Sequence, residues 1–194
     1  MPVGEWWAYG ADGRNNKYSP VDQITVDNFH DLEIVWRWTS ISTQVTSRND
    51  RINPGLFKAT PLMIGGVVYV STALGQVAAL DAGTGQSVWT YDPQSYERLE
   101  KPANIGWQHR GVSYWRDSES NDARIFIATH DQRLIALNAK TGTLYPDFGN
   151  DGIVDLTESL GRATDRERLT HSSPVAVVRD TIVVGSSLTD QTTT

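Results

Sequence analysis

Residues Pro61 to Tyr91 read PLMIGGVVYVSTALGQVAALDAGTGQSVWTY. Pro61 to Thr72 holds two β-prone runs joined at Gly65-Gly66, a dipeptide that supplies the positive φ a tight hairpin needs. Gln76 to Asp81 (QVAALD) is a third short run. Ala82 to Gly85 (AGTG) is a turn, and Ser87 to Tyr91 (SVWTY) is a fourth strand ending in an aromatic anchor. Four antiparallel strands in about thirty residues make one β-propeller blade. These residues therefore decide for an all-β chain of four-stranded antiparallel sheets.

The same pattern returns 57 residues later, where Arg124 to Thr129 (RIFIAT), Arg133 to Asn138 (RLIALN) and Ala139 to Gly142 (AKTG) match Val67 to Thr72, Gln76 to Asp81 and Ala82 to Gly85. A third copy begins at Ser173 to Ser187 (SPVAVVRDTIVVGSS), with Arg179-Asp180 in place of the glycine pair. Upstream, Leu32 to Thr39 (LEIVWRWT) carries Val35-Trp36, which resembles Val88-Trp89 and predicts a strand that enters the array mid-blade. Internal repeats of this period point to propellers or solenoids. The expected organisation is one partial β-propeller over residues 1–194: an N-terminal segment and leading strand at 1–39, blades at 57–91 and 110–143, and an incomplete blade at 173–194. A propeller closes with about four to eight blades. The chain is thus expected to be a fragment with an exposed edge or one of several chains that complete a ring, and an exposed edge favours self-association. The stretches Tyr91 to Trp107 and Tyr145 to Ser172 are too long for simple turns and are expected to decorate one face.

The chain has 194 residues, 39% of them hydrophobic, which suffices for a real core. Its formal charge of −6 argues against nucleic acid, because phosphate binding needs clustered Lys and Arg. The absence of cysteine removes disulfides, thiolate metal sites and cysteine nucleophiles together. The longest apolar stretch, Pro61 to Thr72, is too short and too Gly-broken for a membrane span of about 20 residues. Met1 to Trp7 lacks the basic start and apolar run of a secretory signal, so any export signal is expected to have been removed or replaced.

LDAGTGQSVW at Leu80 to Trp89 resembles the tryptophan-docking repeat of the pyrroloquinoline quinone (PQQ)-dependent, or quinoprotein, dehydrogenases, and LNAKTG at Leu137 to Gly142 is a partial second copy. The opening WWAYGADGRNNKYSPVDQITVDNFHDLEIVWRW, FKATPLM at Phe57 to Met63 and HRGVSYW at His109 to Trp115 extend the resemblance over nearly the whole chain. The resemblance implies the N-terminal portion of an eight-bladed propeller that holds PQQ near its axis, with a divalent cation, usually Ca²⁺, at the quinone. It implies oxidation of an alcohol, sugar or polyol hydroxyl by hydride transfer to PQQ, with electrons passed to a quinone or cytochrome. The catalytic aspartate of the family lies beyond this stretch, so no catalytic base is named here and the chain alone is expected to be inactive. Asn104-Ile105 stands where methanol-type enzymes carry adjacent cysteines; the likeness is nearer the membrane-bound glucose, quinate and polyol enzymes, whose propeller faces the periplasm. The competing reading is a non-catalytic propeller that binds proteins as a scaffold.

On the same resemblance, Arg110 matches the arginine that pairs with PQQ carboxylates, a role suited to an always-charged bidentate group; its bland alternative is a surface or inter-blade salt bridge. Thr129 matches a threonine that hydrogen-bonds the cofactor, although Thr72 at the equivalent place shows that the repeat alone could put threonine there. Lys58 replaces a glutamate usual in the family and has two readings, a partner for a cofactor oxygen or a solvated strand residue. Ser186, Ser187 and Asp190 fall where the family places a PQQ contact and then an acidic Ca²⁺ ligand, since carboxylate oxygen suits a hard cation. His109, His130 and His171 do not have the spacing of a common zinc site. His109 and Trp107 are candidates to line the cofactor or substrate mouth.

Overall fold

The computed structural model describes residues 2–102, 106–158, 160–161 and 168–188. The first blade is a four-stranded antiparallel meander of β1 (Leu62–Ile64), β2 (Val67–Ser71), β3 (Val77–Asp81) and β4 (Ser87–Tyr91). Register is fixed by pairs such as Leu62 with Tyr69 and Ala79 with Trp89. Gly65 and Gly66 both take positive φ, +58° and +78°, as the predicted tight turn requires. The second blade repeats the meander with β5 (Ser113–Arg116), β6 (Ala123–Ala128), β7 (Arg133–Asn138) and β8 (Ile153–Asp155). Of the third copy, β10 (Ala176–Val178) and β11 (Thr181–Val183) pair across Arg179-Asp180, and β12 (Ser187–Leu188) pairs with β9 (Leu169–Thr170).

Two expectations require correction. Tyr145 to Ser172 is not only a decorating loop, because it supplies β8 and β9. The outer strand of the second blade starts well after the AKTG turn: Leu144 bridges Leu137, the chain leaves the sheet, and β8 later pairs with Arg133 to Ile135. The Tyr145 N–H still donates to Ala136 before the chain departs at Pro146. Leu32 to Thr39 forms no ladder among the described residues, yet its Trp36 reaches the first blade.

The core lies between blades rather than inside one. Ile125, Ile127, Ile135 and Leu137 face Leu62, Tyr69, Val77, Ala79 and Trp89 of the first blade. Their strand neighbours Phe126, Ala128, Leu134 and Ala136 face Val175 of the third copy. Burial on both faces is why β6 and β7 read as continuous apolar runs instead of alternating ones. Each large aliphatic side chain buried this way contributes about 1.5–3 kcal/mol.

Tryptophans link one blade to the next turn. The Trp89 indole N–H donates to the Ala139 carbonyl at 2.9 Å, and its ring lies against Gly142, where an added Cβ would stand 2.5 Å from Cδ2. Trp36 repeats the arrangement on Ala82 at 3.0 Å and on Gly85. Both glycines have a φ of +71°. The turns are held open for the ring by Asp81, whose Oδ1 accepts the Thr84 N–H, and by Asn138, whose Oδ1 accepts the Lys140 N–H.

Candidate functional site

Each blade has a short stretch just ahead of its first strand, and the fold brings three of these together: Lys58 to Pro61, His109 to Val112, and Thr170 to Val175. Arg110 is the middle rung. Its N–H donates to the Ser172 carbonyl at 2.8 Å, and its carbonyl accepts the Thr60 N–H at 2.9 Å. The main chain of this one residue therefore ties the first blade to the third copy. Gly111 allows the approach: its φ is +141°, and an added Cβ would stand 3.0 Å from the Thr60 carbonyl oxygen.

The Arg110 side chain is half-buried and donates from one terminal nitrogen to the Ser172 hydroxyl at 2.8 Å, with Ser173 at 3.5 Å. Among the described residues no carboxylate forms an ion pair with it. The surface or inter-blade salt bridge that would have been its structural role is thus not formed among the described residues. Arg110 borders a cleft of about 480 Å³ between the inner strands and the N-terminal segment, whose walls include Trp7, Tyr9, Tyr114, Pro174 and Val175. That segment is pinned to the first blade by paired backbone bonds between Trp6 and Met63.

Ser187 pairs with Thr170 across β12 and β9, two residues along the chain from the serine that holds Arg110. Lys58 is exposed and two residues from Thr60, so it borders the same junction without a polar partner of its own in the first or second blade. Asp190 and Asn104-Ile105 lie outside the described residues.

Thr129 is placed elsewhere. It is fully buried, its Oγ1 lies 2.6 Å from Asp131 Oδ1 and it receives the Arg133 N–H at 3.2 Å. Thr72 closes the Thr72–Gln76 turn in the same manner. Thr129 is accordingly a turn residue, part of a network in which Asp131 binds Arg133 at 2.7 Å and Ser95 at 2.8 Å, and so anchors the short helix Ser95–Arg98 of the β4–β5 connection. That connection runs on to Arg110.

Thr170, which has no role in the sequence expectations, lies two residues along the chain from Ser172, the partner of Arg110. Thr170 is fully buried, and its hydroxyl has no hydrogen-bond partner among the described residues; nor has Nε2 of the neighbouring, buried His171. A buried hydroxyl without a partner is costly enough to call for an explanation, and a ligand supplies one. The signal available in sequence was position: THSS stands ahead of the third first strand as HRG stands ahead of the second.

Burial disfavours the charged form of all three buried histidines. Burial, then His130, hold His109 down at about 3; burial holds His130 down at about 4, and burial also lowers His171. Among the described residues no group of three or more His, Asp or Glu side chains could hold a metal ion.

Residues 6–194 match the family described as PQQ: Glucose/ethanol/alcohol dehydrogenase, beta-propeller domain. The chain belongs to this family. Members similar to it include the quinoprotein glucose dehydrogenase of Escherichia coli (strain K12), 33% identical over 98% of this chain and 24% of the relative. Another is the glycerol dehydrogenase large subunit of Gluconobacter oxydans (strain 621H), 30% identical over 96% of this chain and 25% of the relative. Among solved structures, the quinohemoprotein alcohol dehydrogenase ADHIIG of Pseudomonas putida HK5 superposes with a TM-score of 0.74 at 28% identity, covering 95% of this chain and 23% of that one. This PQQ-family chain therefore spans about a quarter of the length of the curated relatives it matches.

Proposed function

We propose that this chain builds one wall of the PQQ site of a dehydrogenase that oxidises an alcohol, sugar or polyol hydroxyl and passes the electrons to a quinone or cytochrome, on the periplasmic side of the membrane. The observation that carries the reading is Arg110: a half-buried guanidinium held by serine hydroxyls, with no carboxylate ion pair among the described residues, and with the unsatisfied hydroxyl of Thr170 two residues along the chain from its partner Ser172. That donor set fits a polyanionic cofactor, because charge-assisted bonds to carboxylates are what a planar guanidinium flanked by hydroxyls makes best.

In this reading Arg110 pairs with a PQQ carboxylate, and Ser172, Ser187 and Thr170 supply neutral donors around it. Lys58 adds a second positive charge at the rim. When bound, PQQ supplies the two-electron acceptor for the hydride of the substrate; the residues of this chain bind and orient it. A Ca²⁺ ion belongs to the same reading, with Asp190 as its candidate carboxylate. Dehydrogenase activity is expected of the intact protein and not of these residues alone.

The test is titration of the intact protein with PQQ and Ca²⁺, followed by quinone absorbance. Arg110→Ala should weaken binding by about tenfold to a hundredfold, the equivalent of losing a charge-assisted pair worth about 1.5–3 kcal/mol. An intact protein that does not bind PQQ would overturn the assignment in favour of a protein-binding propeller.

A further inference from the structure

We infer that His109 is the positioning residue for Arg110: a neutral imidazole that clamps the arginine's own peptide to the inner ends of two blades. This inference rests on the PQQ reading above. His109 is itself shielded from any ligand, being 1% exposed with both ring nitrogens occupied. Nε2 lies 3.0 Å from the carbonyl of Ala128, the last residue of β6. A carbonyl only accepts, so the proton is on Nε2 and Nδ1 carries the lone pair. That lone pair takes the Gly111 N–H at 3.3 Å and faces the hydroxyl of Ser71, the last residue of β2, at 3.0 Å.

One ring therefore joins the first blade, the second blade and the amide two residues along its own chain. Arg110 lies between the ring's residue and that amide, so closing the bond from residue 111 to the side chain of 109 restrains the dihedral angles from which the guanidinium departs. The backbone bonds of Arg110 to Thr60 and Ser172 set its place, and His109 sets its direction. The imidazole must also stay neutral, since an Nδ1 proton would confront the Gly111 N–H. Burial ensures this by holding the ring at about 3. The edge-on stacking of His109 against His130, and of His130 against Trp107, fills the space behind the clamp.

The inference separates two near-isosteric replacements. Asn places its side-chain oxygen where Nδ1 stood and keeps the Gly111 and Ser71 contacts, whereas Gln reaches the Ala128 end and leaves them. PQQ affinity of the intact protein should fall less than about threefold in His109→Asn and about tenfold or more in His109→Gln and His109→Leu, about tenfold being 1.4 kcal/mol. In an Arg110→Ala background His109→Gln should cost less than about twofold, because the group it orients is gone. A purely structural role would lower thermal stability in both variants without this coupling. Equal affinity of His109→Asn and His109→Gln, or losses that add fully to that of Arg110→Ala, would overturn the inference while leaving the PQQ reading intact. Failure of the wild-type protein to bind PQQ would overturn both.

Discussion

Gly142→Ala should destabilise the protein much more than Gly66→Ala, and the difference measures the contact that joins one blade to the next. Both positions lie in the left-handed region, Gly66 at φ +78° and Gly142 at +71°, so each alanine incurs the same conformational penalty of about 1–2 kcal/mol. They differ in surroundings. A Cβ at Gly66 meets nothing within 4 Å, whereas one at Gly142 would stand 2.5 Å from both Cδ2 and Cε3 of Trp89. The indole cannot retreat, since it is only 9% exposed and its N–H is committed to Ala139. Forcing a methyl into such packing costs about 1–3 kcal/mol more. Gly142→Ala should therefore lose about 2–5 kcal/mol against about 1–2 for Gly66→Ala, read by urea unfolding with tryptophan fluorescence. Repeating Gly142→Ala in a Trp89→Phe background should shrink its excess, because the smaller ring leaves room. Equal losses at the two glycines, or an excess indifferent to Trp89→Phe, would refute the packing argument.

Stability should also depend on pH through the buried histidines. His109 and His130 sit at about 3 and about 4, below the ordinary value near 6.5, so the unfolded chain takes up their protons first. Their contribution is complete above about pH 6.5 and is lost as pH falls towards the folded values, reaching about 2–3 kcal/mol per histidine at about pH 4.5. A melting temperature that stays flat between about pH 7 and 5 would contradict this. Asp131→Ala should cost about 3–5 kcal/mol in a thermal melt, because it strands the buried Arg133 and releases Ser95 and Thr129, and pairing it with Arg133→Met should recover part of the loss. Double-variant stability no better than Asp131→Ala alone would count against a stranded charge as the cause.

Much of the fold was legible because it is written in local chemistry. Gly65-Gly66 dictates a hairpin, and the two AxTG turns each end in a glycine against which a tryptophan from the preceding repeat packs. Arg179 shows that the hairpin does not need glycine: it takes φ +54° and lets Trp115 bond to its carbonyl at 3.1 Å. What was not legible depends on partners distant in sequence. β8 is displaced along the chain to Ile153–Asp155, where it pairs with β7, and the run at Leu32 to Thr39 has strand composition but no ladder partner among the described residues. Arg110 and Thr129 were both picked through the family resemblance, with the repeat at Thr72 as the reason against Thr129, and Thr129 occupies the place of a turn-closing threonine.

The burial of Thr129 has a physical root that bears on where the proposed site lies. Both faces of β6 and β7 are covered by neighbouring blades, and the turn that joins them is buried as well, so its polar side chains spend their hydrogen bonds locally, as Thr129 does on Asp131. Ligand-facing polar groups can survive only where strands begin, at the inner edge, and there each blade contributes just a few residues. One blade offers Lys58, the next Arg110, the third Thr170 and Ser172. None of these is a site alone, and nothing in the repeat period equates them. What draws these segments together is the main chain of Arg110, bonded to Thr60 on one side and to Ser172 on the other, so that in the proposed site inter-blade packing and ligand geometry would be set by the same residue. A substitution that shifts one blade against the next, even from inside the apolar core, therefore moves the guanidinium relative to its serine partners.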